Sequence, residues 1–110
     1  MKIAVITGAS AGLGAEFALE IDKNRPEIDE IWLIARRRDR LEELAKKLSK
    51  NTRIFSIDIT DIDALEEYKN ALKNTNTEVK ILINNAGFGK LGRFDDLSAE
   101  DNSGMVRLNC

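Results

Sequence analysis

The sequence predicts an α/β fold, a doubly wound parallel sheet covered by helices on both faces. Three observations predict it. Short apolar, β-branched runs recur four times along the chain. Segments with one apolar face at helical spacing separate them. Strand, helix and strand in that alternation are joined by right-handed crossovers, which make neighbouring strands parallel.

The first run, Ile3 to Ile6, is short and closed by Thr7 and Gly8, as a strand buried on both faces would be. After it, Leu13, Phe17, Ala18 and Ile21 fall on one helix face, and Asn24 and Pro26 stop the pattern. Ile31 to Ala35 is the second strand. The helix after it sets Leu41, Leu44, Ala45 and Leu48 on one face, and Glu42 with Lys46 and Glu43 with Lys47 form favourable i,i+4 pairs. Arg53 to Asp58 is the third strand. Thr60 and Asp63 resemble a capping box, opening a helix whose inner face is Leu65, Tyr68 and Leu72. Val79 to Asn84 is the fourth strand, followed by a glycine-bearing loop from Ala86 to Gly92. Ser98 and Asp101 are the expected cap of a last helix running to Cys110.

Bulk properties narrow the functions. The 110 residues suffice for one domain, 1–110. With 43% hydrophobic and 33% charged residues the chain is expected to fold around a packed core. A formal net charge of −2 argues against a nucleic-acid binder, which needs a strong basic excess or a basic face. The one cysteine, Cys110, and the lack of histidine leave no disulfide, no cysteine-based zinc site and no imidazole chemistry, so no metal is expected. No cleavable leader and no long apolar run is evident, so a cytoplasmic location without membrane contact is expected.

The chemistry is concentrated in Thr7-Gly8-Ala9-Ser10-Ala11-Gly12-Leu13-Gly14, between the first strand and the first helix. A helix N-terminus there presents free N–H groups and a positive dipole to a phosphate, and glycine lets backbone approach the ligand. Lone glycines usually mark only a tight turn. Three of them after an apolar strand and before an amphipathic helix are the context of dinucleotide binding.

The spacing Gly-x-x-x-Gly-x-Gly, with its preceding threonine, resembles the cofactor loop of the short-chain dehydrogenases/reductases, classical type. Asp58 in Asp-Ile-Thr-Asp, the run Asn84-Asn85-Ala86-Gly87, and Asn109 each fall where that family has a motif, in order along the whole chain. The resemblance implies a Rossmann fold with strands in the order 3-2-1-4, present here as its N-terminal part. It implies a cofactor site built from Gly8, Ser10, Ala11, Gly12, Leu13, Gly14, Asp58, Ile59, Asn85, Ala86 and Gly87. In it Asp58 accepts from the adenine amino group, Ile59 covers the ring, and Asn84 braces neighbouring strands.

The end of the second strand, about 20 residues past the glycines, meets the adenosine ribose, and an acid there selects NAD. This sequence has Ala35, Arg36 and Arg37. A carboxylate would repel a 2′-phosphate, whereas a guanidinium holds it through paired charge-assisted hydrogen bonds. NADP is therefore the expected cofactor, with Arg36 the first and Arg37 the second holder of its phosphate, and Arg38 turned to solvent. Three uncompensated arginines before a helix would also oppose its dipole, a penalty that a bound phosphate reverses.

The family reaction moves a hydride between the nicotinamide and a carbonyl or alcohol carbon, using a tyrosine and a lysine four residues apart and a serine. The sole tyrosine, Tyr68, is followed four residues on by Leu72 and is expected in the core. Of the family's catalytic group only Asn109 has a counterpart, and the resemblance gives it the role of holding a water that links the lysine to solvent. Gly104 costs the expected last helix about 1 kcal/mol relative to alanine. The expected function is thus an NADP-dependent oxidoreductase acting on a small carbonyl or alcohol substrate, represented by its cofactor-binding part and inactive as 110 residues alone. A non-enzymatic NADP-binding or sensing module remains the alternative, and a methyltransferase fits worse because it would favour an acid after the second strand. The fourth strand is expected as an open edge, favouring homo-oligomers or poor stability.

Overall fold

The computed structural model describes residues 1–9, 12–56, 62–74 and 77–84, and the backbone of 106–109. The order of elements is β1 (Lys2–Thr7), α1 (Gly12–Asn24), β2 (Glu30–Ala35), α2 (Arg38–Lys47), β3 (Asn51–Ser56), α3 (Ile62–Asn74), β4 (Glu78–Asn84) and β5 (Val106–Asn109). All strand pairs are parallel and the sheet runs β3-β2-β1-β4-β5, so the expected four-strand order is observed with one strand added.

That addition corrects the expected last helix. Residues 106–109 pair in parallel with Ile81 to Asn84, and β5 rather than β4 is the outer strand on that side. Val106 and Leu108 alternate with polar residues, a strand period. Gly104 two positions earlier weakens a helix, and the open backbone of β4 offers hydrogen bonds that only another strand can take. Ser98, Asp101 and Gly104 themselves lie outside the described residues, as do Thr60 and the loop 86–92.

Strands β1, β2 and β4 bury both faces, while β3 buries Phe55 alone. Ala4, Ile6, Ile31, Leu33, Ile81 and Ile83 pack with Ala18 and Ile21 of α1 and Leu41 and Leu44 of α2. Ile3, Val5, Trp32, Ile34, Phe55, Val79 and Leu82 pack with Tyr68 and Ala71 of α3 on the other side. At about 1.5 to 3 kcal/mol for each fully buried aliphatic side chain, these two layers dominate the stability. Tyr68 is completely buried and meets Trp32 (6.0 Å, 81°) and Phe55 (5.8 Å, 87°) edge to face, the core role expected of it. Ala71 joins the inner face of α3, while the side chain of Leu65 lies outside the described set.

Two helix-face expectations need correction. Leu13 is half exposed, because α1 starts at Gly12 and buries Gly14, Ala18 and Ile21, a row that leaves position 13 turned away. Glu42 bonds Arg38 (3.0 Å) rather than Lys46, one turn back along α2.

One irregularity interrupts the β1–β4 pairing. Ile3 stands level with Val79, but Ala4 with Ile81, so Lys80 is an extra residue on β4.

Candidate functional site at the carboxyl edge of the sheet

In the described register Thr7 stands level with Ile34 on β2 and with Asn84 on β4, Ala35 with Ser56, and Asn84 with Asn109. These residues mark the carboxyl edge of the sheet. The chain leaves β1 toward β2 through α1 and reaches β4 from β3 through α3 on the other face, so the winding reverses between β1 and β4. Ligands of open α/β sheets bind at such a point.

The turn after β1 is built on glycine for a conformational reason. Gly8 has φ +65° and Gly12 φ +59°, the left-handed region that side chains oppose. A Cβ placed on Gly12 would meet nothing within 4 Å, so space is open above the first residue of α1. Ala9 is buried, and its N–H donates to Ile34 O (3.3 Å), tying the turn to β2. Gly14 is buried on the inner side of α1. Thr7, fully buried, donates its hydroxyl to Ile83 O (3.2 Å) and stitches β1 to β4 at the reversal point. Asn84, equally buried, ends β4 beside it.

The end of β2 carries the charge. Ala35 is buried, and Arg36, Arg37, Arg38 and Arg40 follow as exposed residues. The Ser56 hydroxyl at the end of β3 donates to Arg36 O (3.2 Å), fixing the backbone where the chain turns out of the sheet. Arg37 occupies the N-cap of α2 with extended backbone, and its Nε and Nη2 donate to both oxygens of Asp39 (3.3 and 3.2 Å). The Arg37 guanidinium beside Asp39 holds its carboxyl below the usual carboxylate range. Arg38 lies within α2 and donates to Glu42, so it is engaged along the helix surface.

Of the residues expected at the site, the structure therefore brings Gly8, Gly12, Arg36 and Arg37 to one edge, with Gly14 supporting α1 and Leu13 exposed next to Gly12. Asn109 ends β5 on the same edge, in a strand instead of the expected helix. Ser10, Ala11, Asp58, Ile59, Asn85, Ala86 and Gly87 lie outside the described residues. Ser56 and Asp39 were not singled out from the sequence. Ser56 closes a strand with a hydroxyl, a weak signal, and Asp39 is hidden within a charged run. Among the described residues no group of three or more acidic or cysteine side chains could hold a metal, and no helix is long and apolar enough to cross a membrane.

This sheet, wound in both directions around a glycine turn, is a Rossmann-type unit. The chain belongs to the short-chain dehydrogenases, whose family model, described as short chain dehydrogenase, matches residues 2–110. An NADP-dependent 3-hydroxy acid dehydrogenase of Schizosaccharomyces pombe is 33% identical over 116 residues, covering 98% of this chain and 43% of that protein. The L-sorbose reductase of Gluconobacter frateurii, solved with NADPH and L-sorbose, is 33% identical with a TM-score of 0.65, over 80% of this chain and 34% of that one. An alcohol dehydrogenase of Thermococcus sibiricus shares the fold at a TM-score of 0.76 and 24% identity, over 99% of this chain and 57% of that one. The chain spans less than half the length of the curated relatives it matches.

Proposed function

We propose that this chain is the cofactor-binding part of an NADP-dependent oxidoreductase acting on a small carbonyl or alcohol substrate. The observation that carries the proposal is the end of β2, where a buried alanine is followed by two exposed arginines and no carboxylate, on the same edge as the glycine turn. The open space above Gly12 and the N-terminus of α1 suit a pyrophosphate. Arg36 and Arg37 suit a 2′-phosphate, which an acid at the same place would repel. The fission-yeast relative named as NADP-dependent and the sorbose reductase solved with NADPH support the same cofactor.

When bound, NADP(H) would supply or accept the hydride. The described residues would bind and orient it: Gly8 and Gly12 by letting backbone come close, Gly14 by seating α1 against the sheet, Leu13 by covering ligand from the exposed side. Ser10, Ala11, Asp58, Ile59, Asn85, Ala86 and Gly87 complete the proposed contacts, and Asn109 is the proposed member of the family's catalytic group at the end of β5. Homo-oligomerisation and a cytoplasmic location belong to the same proposal, the former checked by light scattering over a concentration series. No observation favours the non-enzymatic alternative.

Calorimetric titration with NADPH and NADH tests the proposal. NADPH should bind at least about tenfold more tightly, the value of one charge-assisted hydrogen bond. Equal affinities would overturn it.

A further inference from the structure

We propose that Asp39 is a specificity-determining residue which sets how strongly the two dinucleotides are told apart, by holding Arg37 in an ion pair that a 2′-phosphate must displace. The proposal rests on the assignment of Arg36 and Arg37 to that phosphate.

The three arginines after β2 are held differently. Arg36 has its backbone carbonyl pinned by Ser56 at the end of β3. Arg38 is bound to Glu42 along α2, one helical turn away from the sheet edge. Arg37 pairs with the acid in the first turn of α2, and it does so through two guanidinium nitrogens. Asp39 thus occupies the position an external anion would favour, at the positive end of the helix and against the fork of an arginine.

That pair is exposed, with 61% of the Arg37 side chain and 68% of the Asp39 side chain open to solvent. Exposed pairs contribute little, so a dianionic phosphate can take the guanidinium from a single carboxylate. The exchange still lowers affinity, because the pair is broken and the carboxylate is left beside the incoming phosphate. NAD, lacking the phosphate, leaves the pair intact. Asp39 therefore weakens NADP binding selectively, and loss of its charge should widen discrimination.

Calorimetric affinities for NADP+ and NAD+ decide the matter through a double-mutant cycle on Asp39 and Arg37. Asp39→Asn should tighten NADP+ about threefold, the scale of an exposed ion pair, and leave NAD+ unchanged. The gain should shrink at high salt. In an Arg37→Ala background the same substitution should give most of its gain away, since the pair no longer exists. Thermal unfolding of Asp39→Asn checks that α2 is retained, and Asp39→Glu, which keeps the charge, should stay near the original discrimination. If Asp39→Asn leaves NADP+ affinity unchanged or weaker while Arg37→Ala still loses it, the role of Asp39 fails and the phosphate assignment stands. A gain that persists in full without Arg37 also overturns the exchange. If Arg36→Ala with Arg37→Ala alters neither affinity, the phosphate assignment itself fails.

Discussion

The two ends of the sheet are organised in opposite ways. At the amino end the chain bonds to itself. Lys2 and Asp29 exchange two hydrogen bonds of 2.8 Å, and Glu78 N–H donates to Met1 O (2.7 Å). The Asp22 carboxylate, near the end of α1, accepts from Ser49 N–H, the Ser49 hydroxyl and Lys50 N–H at 2.8 to 3.1 Å, clamping α1 to the start of β3. At the carboxyl end the chain instead presents a left-handed glycine turn, the N-termini of α1 and α2, and a row of exposed arginines. The difference teaches that the Asp22 and Asp29 contacts, which lock the fold, lie at the opposite end from the exposed arginine side chains proposed to serve a ligand, so either set can be altered with the other kept.

Substitutions can break or sharpen that separation. The largest effect should come from the layer between the ends: Trp32→Ala empties the aromatic cluster with Phe55 and Tyr68 and should cost about 3 to 5 kcal/mol in urea unfolding. At the carboxyl end, Arg36→Ala with Arg37→Ala should weaken NADPH binding about tenfold or more without lowering the urea midpoint. A matching fall in stability would show that the arginines belong to the fold after all. At the amino end, Asp22→Ala should lower stability by about 1 kcal/mol and leave NADPH affinity untouched. The smallest effect concerns pH. Partial burial raises the Asp22 carboxyl, but the hydrogen bonds from Ser49 and Lys50 and the Lys50 charge outweigh it, so its folded pKa lies below the ordinary 3.8. Its contribution is complete above the unfolded value and is lost as pH falls through the folded one. Asp22→Asn should therefore flatten the stability profile below about pH 4. An unchanged profile would move the clamp's contribution elsewhere.

The strands were legible because β-branched runs buried on both faces stand out, as Ile3–Ile6 and Ile31–Ala35 do. The glycine turn was legible because its conformation demands a residue type. β5 was not, since a four-residue strand such as Val106–Asn109 owes its existence to an unpaired neighbour far away in sequence, whereas Ser98 and Asp101 offered a local helix signal. The Asp22 clamp escaped for the same reason, joining positions 27 and 28 residues apart. Leu13 misled because helical spacing gives a period and not its phase, and the buried row of α1 runs through Gly14, Ala18 and Ile21, which leaves Leu13 turned outward.

The extra residue in β4 has a further consequence. Seven residues there run level with six in β1, from Lys2 beside Glu78 to Thr7 beside Asn84. Lys80 absorbs the surplus at the surface, paired with Glu78 at 2.7 Å, and beyond it the strand's odd and even positions exchange faces. It works like the sliding scale of a vernier, in which two rulers of unequal graduation still agree at both zeros. Removing Lys80 would set six residues against six, so that Val79 and Ile81 alternate faces as Ile3 and Ala4 do and the strand meets β1 in one unbroken register, with the extra residue and its local twist gone.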